Sequence, residues 1–194
     1  MAITKNDTRQ HLLAVAERLL LENGYENVSI RAVCTAAGVN TAAVHYHFGS
    51  KAELVSALLE SRLGPLWEDA LTSPAASDIS VADAVRVVVE PLVGLASDPA
   101  GRLYLHLLSR LLLSRNKLRW TERWFSITPW AEMLQHHVAG LTANEAAHRW
   151  MLAFELIFTQ FGDPLAGDRR LSPRQVRTLQ EFVTAGLVTP AVAR

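Results

Sequence analysis

Five residues within seven positions, His45, Tyr46, His47, Phe48 and Lys51, gather two imidazoles, a phenol and an ammonium group. Such a set could ligate a metal, act as a catalytic pair or hold something negatively charged. A metal pair on one helix needs a spacing of three or four residues, so that both rings share a face. His45 and His47 are two apart and on a helix point about 200° from each other. No nucleophile or orienting carboxylate accompanies them, as nucleophilic catalysis would require. The rest of the chain offers no Gly-rich phosphate loop, metal-spaced cluster or nucleophile motif. The expectation is a non-enzymatic protein with no metal or cofactor, in which this stretch touches phosphate.

The elements that must position these groups are short helices. Ser29 offers an N-cap for a helix through Ala37, with Val28 before it as a staple. Gly38 closes that helix, and Asn40 caps a second one of about two turns. Two short helices joined at "AAGVN" fit a helix-turn-helix, whose second helix protrudes and can enter a DNA major groove. Val44 and Phe48, four apart, face the core and leave Thr41, Ala42, His45 and Tyr46 exposed or partly exposed. Ala42 and Ala43 keep the helix slim, and Thr41 has a hydroxyl and a methyl suited to a base edge. Ser29 lies at a helix N-terminus that favours an anion. Lys51 opens a further helix against its dipole, which suggests an external anion. Arg31, Tyr46 and His47 add donors of the kind that meet phosphate and sugar.

The string "VSIRAVCTAAGVNTAAVHYHFGSKAEL" resembles the DNA-binding domain of the tetracycline-repressor (TetR) family of bacterial transcription regulators, over about residues 8–58. The Tyr-His-Phe triplet with Lys51 and Leu54, after Ala-Gly-Val, carries the resemblance. It implies a three-helix N-terminal domain and a divergent helical body that binds a ligand and dimerises. It further implies that Thr41, Ala42 and His45 meet bases while Tyr46, His47 and Lys51 meet the backbone. The candidate DNA-contact set is Ser29, Arg31, Asn40, Thr41, Ala42, His45, Tyr46, His47 and Lys51. The family more often has tyrosine or another aromatic where this chain has His45, which leaves the base preference open.

The 194 residues are nearly half hydrophobic, enough for a sizeable core, and 19 basic side chains balance 19 acidic ones. Zero net charge argues mildly against a nucleic-acid binder, so the DNA reading rests on local charge. Cys34 is the single cysteine, excludes an internal disulfide and reads as a buried, inert thiol. Neither a signal peptide nor a membrane span is legible, which points to a soluble, cytoplasmic protein with no membrane partner. Apolar residues at Leu12, Leu13, Ala16, Leu19 and Leu20 mark a first helix ending at Gly24. Ser50 with Glu53 opens a fourth helix to about Leu71, and "TSPAASDIS" reads as a loop. About five more helical segments follow. Ser80, Asp98-Pro99, Thr142 with Glu145 and Ser172-Pro173 with Gln175 supply start signals, and Pro129 should kink or split the segment 117–140. The expected fold is all-α, with a DNA-binding domain over 1–52 and an effector-binding and dimerisation domain over 53–194. Helix four is the only continuous element joining the two.

In the body, the aromatics Trp120, Trp124, Trp130, Trp150 and Phe154, with Tyr104 and His106, are the candidate ligand-binding residues. Plain core is the competing reading of such a stripe. The segment 142–161 is apolar nearly all round and should be covered on two sides. Phe158 on it, with Val176, Leu179, Phe182 and Val183 on the last helix, is the candidate dimer interface that the family resemblance implies. The partners expected are thus a double-stranded DNA operator, a second copy of the chain and a small hydrophobic effector. The string "VN-x-AAV-x-YHFGSK" and the later "LGPL" are similar to a TetR branch that includes regulators of lipid metabolism. That implies an acyl or other hydrophobic effector, with aromatic compounds and antibiotics as alternatives.

Overall fold

Side-chain caps set most helix starts. Ser29, Asn40, Ser80, Asp98, Thr142 and Ser172 each accept a bond from a first-turn backbone N–H, and the last two close full capping boxes. Ser50 Oγ accepts from Glu53 N at 3.2 Å, while the Ser50 N–H turns to Phe48 O. The computed structural model describes residues 5–72, 79–114, 118–163 and 170–191. The expected loop therefore lies largely outside the described residues.

The helices are α1 (Lys5–Asn27), α2 (Ile30–Ala37), α3 (Thr41–His47), α4 (Lys51–Thr72), α5 (Val81–Leu95), α6 (Pro99–Leu113), α7 (Ile127–His137), α8 (Ala143–Gly162) and α9 (Pro173–Val188). No strand occurs among the described residues. α1 loses helical geometry at Gly24. Pro129 sits in the first turn of α7, where its missing N–H costs nothing, so the segment splits ahead of it. A 3-10 turn, Arg123–Phe125, precedes that split.

α1 packs on α2 and α4, and α2 packs on α3. In the body α8 lies against α6 and α7, and α9 lies against α5 and α8. One apolar core runs from Leu12 and Val44 through Leu58 and Leu63 of α4 to Trp130, Trp150 and Leu187. α4 contributes to both ends of it. Leu54, Leu58, Leu59 and Leu63 are fully enclosed on the helix that carries α3's position into the body. Truncating one such leucine to alanine costs about 2–5 kcal/mol. Cys34 is buried in this core beside Val33. No helix among the described residues is long and apolar enough to cross a membrane.

Candidate functional site

α3 is held by its underside. Val44 is completely buried and Phe48 nearly so, and the guanidinium of Arg9 lies 5.4 Å from the Phe48 ring centroid. Gly38, at φ 67°, makes the left-handed turn between α2 and α3, and its N–H reaches back to Thr35 O. His11 Nε2 approaches Ala37 O at 3.3 Å, tying α1 to the end of α2. Nothing in the local sequence pattern marks His11 for this role, because its partner is 26 residues away.

The upper face of α3 is open. Thr41, Ala42, His45 and Tyr46 are exposed, Tyr46 at 70%. The Tyr46 and His47 rings pack edge to face with centroids 5.2 Å apart, and His47 is half-buried. Asn40 Oδ1 is engaged by Ala42 N at 3.0 Å and Ser29 Oγ by Ala32 N at 3.1 Å, so both cap as well as face solvent. Arg31 is exposed on α2.

His45 Nδ1 lies 2.9 Å from Gly49 O. A carbonyl only accepts, so Nδ1 carries the hydrogen and Nε2 of the neutral ring is left as an acceptor. Position 45 thus presents an oriented imidazole.

Lys51 differs from its expected surroundings. Its Nζ donates to Tyr25 O, near the end of α1, and sits 3.9 Å from the Tyr25 ring centroid. Burial lowers its pKa, with Arg110 pushing the same way and Glu26 opposing. The cation at the start of α4 therefore has an internal anchor, so its placement does not by itself require an external anion. Arg110 of α6 stacks on the same Tyr25 ring at 4.5 Å and pairs with Glu26.

The body differs from expectation at several aromatic positions. Trp120, Trp124, Trp130 and Phe154 line one small cavity of about 50 Å³, together with Trp67 and Phe158. Trp150 is fully buried behind it, its ring centroid 4.9 Å from that of Trp130. Tyr104 is not in the wall: its hydroxyl donates to Glu17 of α1. His106 is half-buried and also outside the wall. Burial lowers its pKa, Arg102 adds to this, and Asp163 opposes. Trp67 escapes a reading of the C-terminal aromatic stripe because it lies on α4, far from the others in sequence.

Of the five expected interface residues, only Phe182 projects outward, at 69% exposure. Phe158 is 6% exposed and belongs to the cavity wall, while Leu179 and Val183 are buried beneath α9 and Val176 is half-buried. Helical rotation explains the difference: α9 needs one face for α5 and α8, and that face takes Leu179, Val183 and Leu187. Met151, Leu152 and Val188 are exposed apolar groups on α8 and α9, alongside Phe182.

A buried-foot helix with an open, slim upper face, set on α2 by a left-handed turn, defines a helix-turn-helix protein. A family model for bacterial regulatory proteins of the tetR family matches residues 12–58, so the helix-turn-helix segment is similar to that family. It is 41% identical over 63 residues to the HTH-type transcriptional regulator AcrR of Shigella flexneri, covering 31% of this chain and 29% of that protein. The match to this curated relative thus spans less than a third of its length. Across nearly the whole chain the fold resembles solved structures of low identity. One is a TetR-family transcriptional regulator from Streptomyces coelicolor, with TM-score 0.59, 20% identity, and 93% and 97% of the two chains covered. Another is NalD, the secondary repressor of the MexAB-OprM multidrug efflux pump in Pseudomonas aeruginosa, with TM-score 0.55, 23% identity, and 94% and 98% covered.

Proposed function

We propose that the chain is a dimeric, ligand-responsive transcriptional repressor of the cytoplasm, not an enzyme, that binds a palindromic operator through α3. The observation that carries this reading is the exposed face Thr41–Ala42–His45–Tyr46 above a foot locked by Val44 and Phe48. In this reading Thr41, Ala42 and His45 meet base edges, and Ser29, Arg31, Asn40, Tyr46, His47 and Lys51 hold the backbone. The N-terminal module is assigned to residues 1–52 and the effector and dimerisation body to 53–194.

A two-fold operator demands two α3 helices about 34 Å apart, or a multiple of one DNA turn. The occupant proposed for the apolar α8–α9 face is therefore a second copy of the chain, seated around Phe182, Leu152 and Met151. The effector is a small, mostly apolar molecule held in the aromatic cavity. Names of similar proteins, such as the repressor of a multidrug efflux pump, support a small-molecule response without fixing its chemistry.

Selection from a randomised duplex library tests the reading. Enrichment of a two-fold sequence, with half-sites one helical turn or a multiple apart, is expected. Recovery of unrelated sequences with no common motif contradicts it.

A further inference from the structure

The cavity wall contains a chemical mismatch. Its lining is apolar and aromatic, yet of the three buried indole N–H groups with no hydrogen-bond acceptor among the described groups, those of Trp67 and Trp124 belong to the wall, and that of Trp150 lies outside it. Trp67 is 4% exposed. Trp130, in the same wall, satisfies its own N–H on Trp124 O at 3.0 Å. Buried polar atoms in native proteins are nearly always paired, so two orphan donors around one hollow define what the hollow lacks. It lacks an acceptor.

The charge around the cavity narrows the ligand further. None of the lining residues is a cation. Arg123 stacks on Trp124 at 5.0 Å but is exposed and lies outside the wall. Glu60, seven residues before Trp67 and so on the same face of α4, is buried and accepts from Thr121 N, Thr121 Oγ1 and Glu122 N. These bonds clamp the segment carrying Trp120, Trp124 and Phe125 against α4. A ligand carboxylate in this hollow would be desolvated without a counter-charge in the wall.

We infer that the cavity, widened from about 50 Å³ by rotation of the aromatic side chains in its wall, takes a small neutral aromatic molecule carrying a hydrogen-bond acceptor, such as a ketone or ether oxygen, which Trp67 and Trp124 bind through Nε1–H. This rests on the effector-binding reading above and narrows it: acyl anions are excluded and plain hydrocarbons disfavoured. Because Trp67 belongs to α4, the ligand oxygen is bonded directly to the helix that leads to α3.

Acetophenone, cumene and benzoate have nearly the same shape and differ in the decisive group. Titration of the full-length chain with each, followed by calorimetry and by the five indole ¹⁵N–¹H resonances, tests the inference. Trp67→Phe assigns one of those resonances. Acetophenone should bind saturably, about 10-fold tighter than cumene, and move the Trp67 resonance downfield, while benzoate does not compete. Trp67→Phe should reduce the ketone's advantage while leaving cumene binding in place. Equal or tighter cumene binding, preference for benzoate, or no saturable binding of any probe overturns the inference. The comparison in the unaltered chain decides even if the variant misfolds. Operator affinity measured beside it separates the two claims: ketone binding without operator release contradicts the regulatory reading alone.

Discussion

The Tyr104 hydroxyl of α6 donates to the Glu17 carboxylate of α1, which Arg62 of α4 also holds, Nε to Oε1 at 2.9 Å. Three helices meet at one carboxylate, and the body grips the N-terminal module at a point remote from the covalent link. A second grip lies at Tyr25, between Lys51 and Arg110. α4 remains the only described continuous connection, but movement of α6 also reaches α1 directly. An effector that shifts α6 or α4 therefore has two routes to the recognition helix. Coupling between such sites typically amounts to about 1–3 kcal/mol and is reciprocal, so operator DNA should weaken effector binding by the same factor.

The Tyr104–Glu17–Arg62 cluster makes stability depend on pH at both extremes. Burial first, then the bond to Glu17, pushes the Tyr104 pKa up to about 12. The unfolded chain loses that proton earlier, so the contribution is full below the ordinary phenol value near 10 and declines as pH rises toward 12. The Arg62 bond holds Glu17 below its usual value against the opposing effect of burial. Its contribution is present at neutral pH and disappears as pH falls through the lowered value. Tyr104→Phe should cost about 1.5–3 kcal/mol at pH 7, as loss of a hydrogen bond to a charged group does. Urea midpoints should show the gap to the parent closing between pH 10 and 12. A gap that stays constant over that range contradicts the assignment.

Lys51 is expected to serve two partners. The bond to Tyr25 O uses one of its three donors and leaves others for a phosphate. Lys51→Ala should lower the unfolding midpoint of the free protein and reduce the slope of log affinity against log salt by about 1. Unchanged slope with lowered stability would confine Lys51 to its internal role.

His45 should read an amine. With Nδ1–H committed to Gly49 O, Nε2 of the Nδ1–H tautomer accepts, and the major-groove amines belong to adenine and cytosine. Duplexes carrying each of the four base pairs at successive half-site positions should reveal one position preferring such an amine. His45→Ala should flatten that preference alone. A preference for guanine there would mean the ring is used as a donor.

Phe182→Glu separates folding from assembly. The side chain is exposed, so the variant should fold, yet a charge buried between two copies without a counter-charge is costly. Sedimentation velocity should show a folded monomer. Val183→Glu, one residue on and buried within the chain, should instead unfold. A fully dimeric Phe182→Glu protein moves the interface to another face.

Local signals carried far in this sequence, and non-local ones did not. Capping residues such as Asn40, Thr142 and Ser172 act on N–H groups two or three residues away, so they are legible without a structure. The buried pair Val44–Phe48 is likewise a matter of helical period. Phe158 and Tyr104 are different. Each lies on a helix with several apolar faces, and only packing decides that Phe158 enters the cavity wall while Tyr104 reaches α1. Lys51 shows the same limit, since its carbonyl partner is 26 residues away.

The recognition face itself is tested most directly at Ala42. Ala42 is exposed at the first turn of α3, where glutamate suits the helix dipole and should leave the fold intact by circular dichroism. Its carboxylate would face base edges and phosphates in the proposed complex. Affinity of Ala42→Glu for the selected operator, measured against the parent at fixed salt, should fall by about 100-fold or more, the scale of about 2.8 kcal/mol or more of charge repulsion and lost contact. Unchanged operator affinity in a folded Ala42→Glu protein would show that α3 is not the element that reads DNA.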